Sequence, residues 1–170
     1  MRRSLPAALA AALLFVGAAQ ARVVRIPAAF SAVVPQIKRH AHVAVRLPSR
    51  ADLDIGATQQ LYATGKARRG RYDLELAGTS RCGGANACFI AAFTARSGQA
   101  LGERSNVRLA RGLRGVYHPL SCGASCSPPS IAWVQRGVRY DMQTRITAPR
   151  SRERAAMVAL ANSAIQSGPR

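Results

Sequence analysis

All four cysteines of the chain fall in two short, glycine-bearing segments, SRCGGANACF (80–89) and SCGASCSPP (121–129). Each segment lies between stretches that alternate as strands do, and this combination constrains the fold more than any other feature. RYDLELAG, from Arg71, sets Tyr72, Leu74 and Leu76 on one face and Asp73 and Glu75 on the other. CFIAAFTAR follows the first cysteine loop. NVRLARGLRGVYH alternates through Val107 and Leu109, with Gly112 and Gly115 marking a bend or bulge. SIAWVQRGVRYDMQTRI reads as a hairpin: Ile131 and Trp133 on one arm, Val138, Tyr140 and Met142 on the other, Arg136-Gly137 at the turn. The pattern predicts an antiparallel meander of five to six strands.

Four cysteines allow three pairings. The local set, Cys82–Cys88 with Cys122–Cys126, is favoured because each closes a short loop whose glycines relieve the backbone. The crossed sets require the two loops to meet at one end of the sheet. A structural zinc site wants two to four residues between ligands, which the second loop satisfies and the first does not. A redox pair normally has two intervening residues and a helix start beside it, and neither loop has either.

Before Arg71 the signals are weaker. VVRIPAAFSAVVPQI (23–37) is apolar but broken by Pro27 and Pro35, which predicts a short helical turn between the prolines. HVAVRLP (42–48) alternates like a strand with a proline stop, SRADLDIGATQQ (49–60) reads as loop, and LYATG (61–65) as a strand before a basic turn, KARRG. After Ser151 the period changes: Met157, Leu160, Ala161, Ala164 and Ile165 recur at helical spacing, with Ser151 as N-cap and Gly168-Pro169 as the stop. The predicted fold is therefore α+β, with a C-terminal amphipathic helix packed on one sheet face. Residues 22–60 form an N-terminal extension and first strand, and 61–170 the sheet-plus-helix core of one domain.

The first residues, MRRSLPAALAAALLFVGAAQA, have the three parts of an export signal: Arg2 and Arg3, an apolar run over 5–18, and Ala19-Gln20-Ala21 as the cleavage site. Cleavage after Ala21 predicts a periplasmic or secreted product of about 150 residues, enough for one core. An oxidising compartment suits paired cysteines.

Without Arg2 and Arg3, 23 basic residues face 7 acids, a net charge of +16, and only Lys38 and Lys66 are lysines. Such a balance favours an anionic partner, here an envelope polymer or a lipid surface. Lys66, Arg68, Arg69, Arg71, Arg108 and Arg139 are the candidate contacts. Aromatics do not interleave with the basic residues as a single-strand stacking platform requires, so no specific nucleic-acid motif is present. The leading expectation is an exported, non-enzymatic binding or envelope-associated accessory domain of unknown ligand, its basic surface written by composition. The alternative is a polyanion binder that uses these residues.

Nothing in the sequence specifies catalysis or a cofactor. There is no nucleophile elbow and no phosphate-cradling glycine loop, and Asp52 and Asp54 in DLD read as turn residues. His40 and His42 would share one strand face, with His118 as a third imidazole, but Lys38 and Arg39 beside them oppose a cation.

The order RGLRGVY, then SIAWVQRGVRY, then a helix carrying ALANSAI, resembles uncharacterised exported bacterial domains. These end in a strand, a W-x-x-x-G-x-x-Y hairpin and a helix with an A-N-S core. Similar domains occur at the extracytoplasmic ends of some anti-sigma and sporulation proteins. The resemblance spans residues 61–168 and implies a small exported sheet-plus-helix domain. Its pattern residues, Trp133, Tyr140, Asn162 and Ser163, carry structural rather than chemical roles.

Overall fold

The structure, a computed structural model, describes residues 21–170, so all of the predicted leader except its last residue, Ala21, lies outside the described residues. The chain opens with β1 (Ala21–Val24), α1 (Ile26–Ala29) and α2 (Val34–Ala41). Both helices carry a proline in the first turn, where its missing N–H costs nothing. The second helix thus runs on past Pro35 instead of lying between the prolines. Next comes β2 (Ala51–Asp54), then β3 (Tyr62–Arg68), β4 (Arg71–Ala77) and β5 (Phe89–Ser97). The second half holds β6 (Val107–Arg108), β7 (Arg114–His118), β8 (Ser121–Cys122), β9 (Cys126–Ser127), β10 (Ser130–Gln135), β11 (Val138–Thr144) and α3 (Arg150–Gln166).

Seven strands form one antiparallel sheet in the order β3-β4-β5-β11-β10-β7-β6. This is two meanders meeting in the middle. After β5 the chain crosses to the far edge and returns inward, so that β11 closes against β5. The β10–β11 hairpin turns through Arg136 and Gly137 with φ of 54° and 72°. Two positive φ values mark the turn whose twist suits a two-residue hairpin. The register sets Ile131 against Met142 and Trp133 against Tyr140. Those rings stack at 5.3 Å, and the tryptophan is fully buried.

One sheet face is covered by helices and holds the core. Helix α2 lies close over β3, where a Cβ on Gly65 would come within 2.5 Å of Val33 and 3.0 Å of Ile37. Helix α3 buries Met157, Leu160, Ala161, Ala164 and Ile165. It begins at Arg150 with Pro149, not Ser151, at the N-cap position, and Gly168 ends it with φ of 76°. Two of the pattern residues anchor it. Asn162 accepts a hydrogen bond from the Ala110 N–H at 2.6 Å, and Ser163 accepts one from the Ser49 N–H at 3.0 Å.

The strand expected at 42–48 does not form: His42 sits in the left-handed region with φ of 54°, and residues 43–48 pair with no strand. Their backbone is satisfied by side chains and the C-terminus: Tyr72 accepts from the Arg46 N–H, Tyr140 donates to the Ala44 carbonyl, and the Arg170 N–H donates to Val45. A strand instead forms within 49–60, where a loop is predicted. There β2 pairs with β1, burying Ala51 and Leu53 and exposing Asp52 and Asp54. The period-2 signal is present in ADLD but too short to stand out beside its turn-forming aspartates.

Both cysteine loops lie at the same end of the sheet, between β4 and β5 and between β7 and β10. The pairing is nevertheless local: Cys82–Cys88 with Cα atoms 5.6 Å apart, and Cys122–Cys126 at 4.0 Å. Each loop folds its own ends together, through the Ala85-to-Cys82 and Cys88-to-Ala85 backbone bonds in one and the β8–β9 pair in the other.

Candidate anion-binding face

Register places the basic residues more sharply than sequence spacing could. Arg68 faces Arg71, Arg71 faces Arg96 and Arg96 faces Arg139, one residue on each of β3, β4, β5 and β11. Directly opposed residues in an antiparallel sheet point to the same side. Tyr72, Ala95, Tyr140 and Trp133, one residue along, point into the core, so this arginine row lies on the outer face away from the helices. On β10 the position facing Arg139 is Val134. Beyond it the edge strands supply a further pair, Arg108 against Arg114. Lys66 stands two residues below Arg68 on the same face, opposite Asp73.

Like charges directly opposed destabilise a sheet, and two acids relieve the middle of the row. Asp73 accepts from Arg96 at 3.0 Å and lies 4.0 Å from Arg71. Asp141 binds Arg139 at 2.7 Å through a two-nitrogen fork, which raises the arginine pKa. Ala100 and Leu101 also lie against the outer face here, since Arg139 donates to their carbonyls. Of the candidate contacts, Arg139 is therefore committed internally, and Arg71 shares its carboxylate with Arg96. Lys66, Arg68, Arg69, Arg108 and Arg114 have no carboxylate partner among the described residues.

Clustering along the sequence does not bring Arg96, Arg111, Arg114 or Arg136 into the site. The signal that could have found the turn positions is a repeated dipeptide, Arg-Gly at 69–70, 111–112 and 136–137, with a fourth copy inside β7 at 114–115. The first three are the hairpin turns β3–β4, β6–β7 and β10–β11, and antiparallel order brings them to the end opposite the cysteine loops. Backbone bonds tie the end together. Ser97 donates to the Gly70 carbonyl and Gly98 to that of Gly137, both at 2.8 Å, and Gly70 donates to Ala41 at the end of α2.

The imidazoles are not assembled. His40 lies in α2 and His42 ends it with φ of 54°, while His118 on β7 sits 3.4 Å from Glu103. No cluster of three metal-ligating side chains occurs among the described residues. Among the described residues, a groove of about 720 Å³ opens between β2 and α3, lined by Ala51, Asp52, Ala155, Ala156, Ala159 and Leu160 among others. The buried acid, Glu153, is held by the Tyr117 hydroxyl at 2.5 Å and the Leu120 N–H at 3.0 Å, a structural arrangement that docks α3 on β7.

The two disulfides suit an oxidising compartment, and no helix of the described residues is long and apolar enough to cross a membrane. No family model matches the chain, and no curated protein or solved structure was found similar to it.

Proposed function

We propose that the protein is an exported, non-enzymatic binding module of the cell envelope whose ligand is an anionic polymer held by the outer sheet face. The observation that carries this reading is the cross-strand arginine row with only two acids set into it. A sheet that opposes Arg68 to Arg71 and Arg108 to Arg114 accepts repulsion that an anionic ligand relieves. Arginine's planar fork suits oxyanions such as phosphate and carboxylate. Export fits both the leader with its Ala19-Gln20-Ala21 site and the disulfide staples, and an extracytoplasmic place is also what the resemblance to anti-sigma and sporulation protein ends implies.

The test is titration of the folded protein with long-chain polyphosphate at increasing salt. Binding that weakens steeply and log-linearly with salt supports the reading, because each neutralised charge releases a counterion. No binding to polyphosphate or to polygalacturonate at about 50 mM salt overturns it. Mass spectrometry of the exported protein, with thiols blocked and no reduction, checks the compartment: a chain starting at Arg22 with no labelled cysteine is the expected result.

A further inference from the structure

Resting on that reading, we infer that the polymer runs across the strand ends, gripped by the three Arg-Gly turns, Arg69, Arg111 and Arg136, rather than along the strands or by the middle of the row. Three observations converge. First, antiparallel order sets the three turns along one edge of the sheet. At a strand spacing of about 4.8 Å, the β3–β4 and β10–β11 turns stand about 14 Å apart, and the β6–β7 turn about 10 Å further on. A line of cations suits a linear polymer. A lipid surface would be better served by apolar side chains that insert. The exposed large hydrophobic residue among those described is Val23, on β1 beside the other end of the sheet.

Second, Arg111 and Arg136 adopt positive φ, 58° and 54°. Asparagine or glycine is preferred at such turn positions, and arginine takes them at a cost. Turn geometry therefore does not account for these side chains, and a guanidinium presented at the tip does. Third, none of the three has a carboxylate partner among the described residues, and Asp73 and Asp141 on the outer face are already engaged by Arg96 and Arg139. The backbone bonds through Ser97, Gly98 and Gly70 hold two of the turns in fixed relation before any ligand arrives, which lowers the ordering cost of binding.

The experiment compares the full chain with the triple variant Arg69→Gln, Arg111→Asn, Arg136→Asn. The two asparagines suit the turns, so folding should be kept or improved. A control, Arg50→Gln, Arg81→Gln, Arg152→Gln, removes three exposed charges away from these turns. Each protein is titrated with long-chain polyphosphate, with polygalacturonate and with phosphatidylglycerol vesicles across a salt series. The inference expects the turn variant to lose on the order of 30-fold in polymer affinity and about three units of salt slope, against about threefold for the control. Loss with one polymer only identifies the oxyanion, phosphate or carboxylate. Equal losses in the two variants mean diffuse attraction and overturn the inference. So does wild-type binding to vesicles but to neither polymer. If wild type binds polymer and the turn variant binds as well, the inference fails while the proposed function stands. If wild type binds no polymer, both fail.

Discussion

Arg71 and Arg96 face each other across β4 and β5, and Asp73, two residues along from Arg71 on the same face, is the acid that makes their apposition tolerable. The same carboxylate that steadies the sheet subtracts from its positive field. Under the proposed function, stability and anion affinity are therefore opposed at this residue.

Asp73→Asn should lower stability by about 1 kcal/mol, a small figure because the carboxylate is more than a third exposed. Higher salt should restore much of that loss by screening the two guanidinium groups from each other. Polyphosphate affinity should rise about threefold at low salt, since one opposing charge is gone. Urea denaturation at two salt concentrations, with titration alongside, checks both halves. A variant that lost stability and affinity together would show that Asp73 positions the binding face instead of opposing it.

Arg46 is a buried cation with no carboxylate partner among the described residues. Its Nη1 lies 3.4 and 3.3 Å from the Ala164 and Ile165 carbonyls at the end of α3, and its guanidinium stands 5.8 Å from the Tyr140 ring centre. The negative end of the helix takes the place of a counterion. Arg46→Ala should cost about 3 kcal/mol through lost packing and uncapped carbonyls. Arg46→Met keeps most of the volume and removes the buried charge, so it should cost about half as much. Denaturant midpoints of the two variants decide the order.

Tyr117 donates to Glu153, and burial together with that acid pushes its hydroxyl from the ordinary 10.0 up to about 12. The folded chain therefore keeps a proton that the unfolded chain releases first. The stability this contributes is present below pH 10 and is lost as pH rises toward 12. Burial raises Tyr72 and Tyr140 as well, so the comparison must be with Tyr117→Phe. That variant should be weaker by about 1–2 kcal/mol at neutral pH, because Glu153 is left with the Leu120 N–H. Its melting temperature should then fall less steeply than that of wild type above pH 10.

The two disulfides close loops of similar length, with separations of 6 and 4 residues, and each restricts the unfolded chain by about 2 kcal/mol. Cys82 differs in also packing with Ala77 and Phe89, and Arg145 reaches across to the Asn86 carbonyl of the same loop. Replacing Cys82 and Cys88 by serine should therefore cost more than replacing Cys122 and Cys126, whose side chains are exposed. Thermal denaturation of the two double variants under oxidising conditions gives the comparison.

Elements whose periodicity is long and whose turns are chemically marked are legible from the amino-acid order alone. The β10–β11 hairpin, with Trp133 over Tyr140, the strand carrying Tyr72, Leu74 and Leu76, the helical tail and the local cysteine pairs were legible because each is set by neighbours within about ten residues of chain. The run 42–48, which alternates like a strand and forms none, and the strand at 51–54, which reads as loop, are not legible, because what separates strand from loop there is a partner distant in sequence. For β2 it is β1, and for 42–48 no strand exists, so tyrosine hydroxyls take the bonds. The candidate face divides in the same way. Composition shows that the chain is basic, and Lys66, Arg68, Arg69 and Arg71 can be named from their clustering in one turn. That Arg68, Arg71, Arg96 and Arg139 form one row, that Asp73 and Asp141 neutralise its middle, and that three Arg-Gly turns share an edge are matters of register and strand order. Those follow from the return of β11 against β5, a long-range pairing that buries one apolar face and so fixes, residue by residue, which charges stand together on the other.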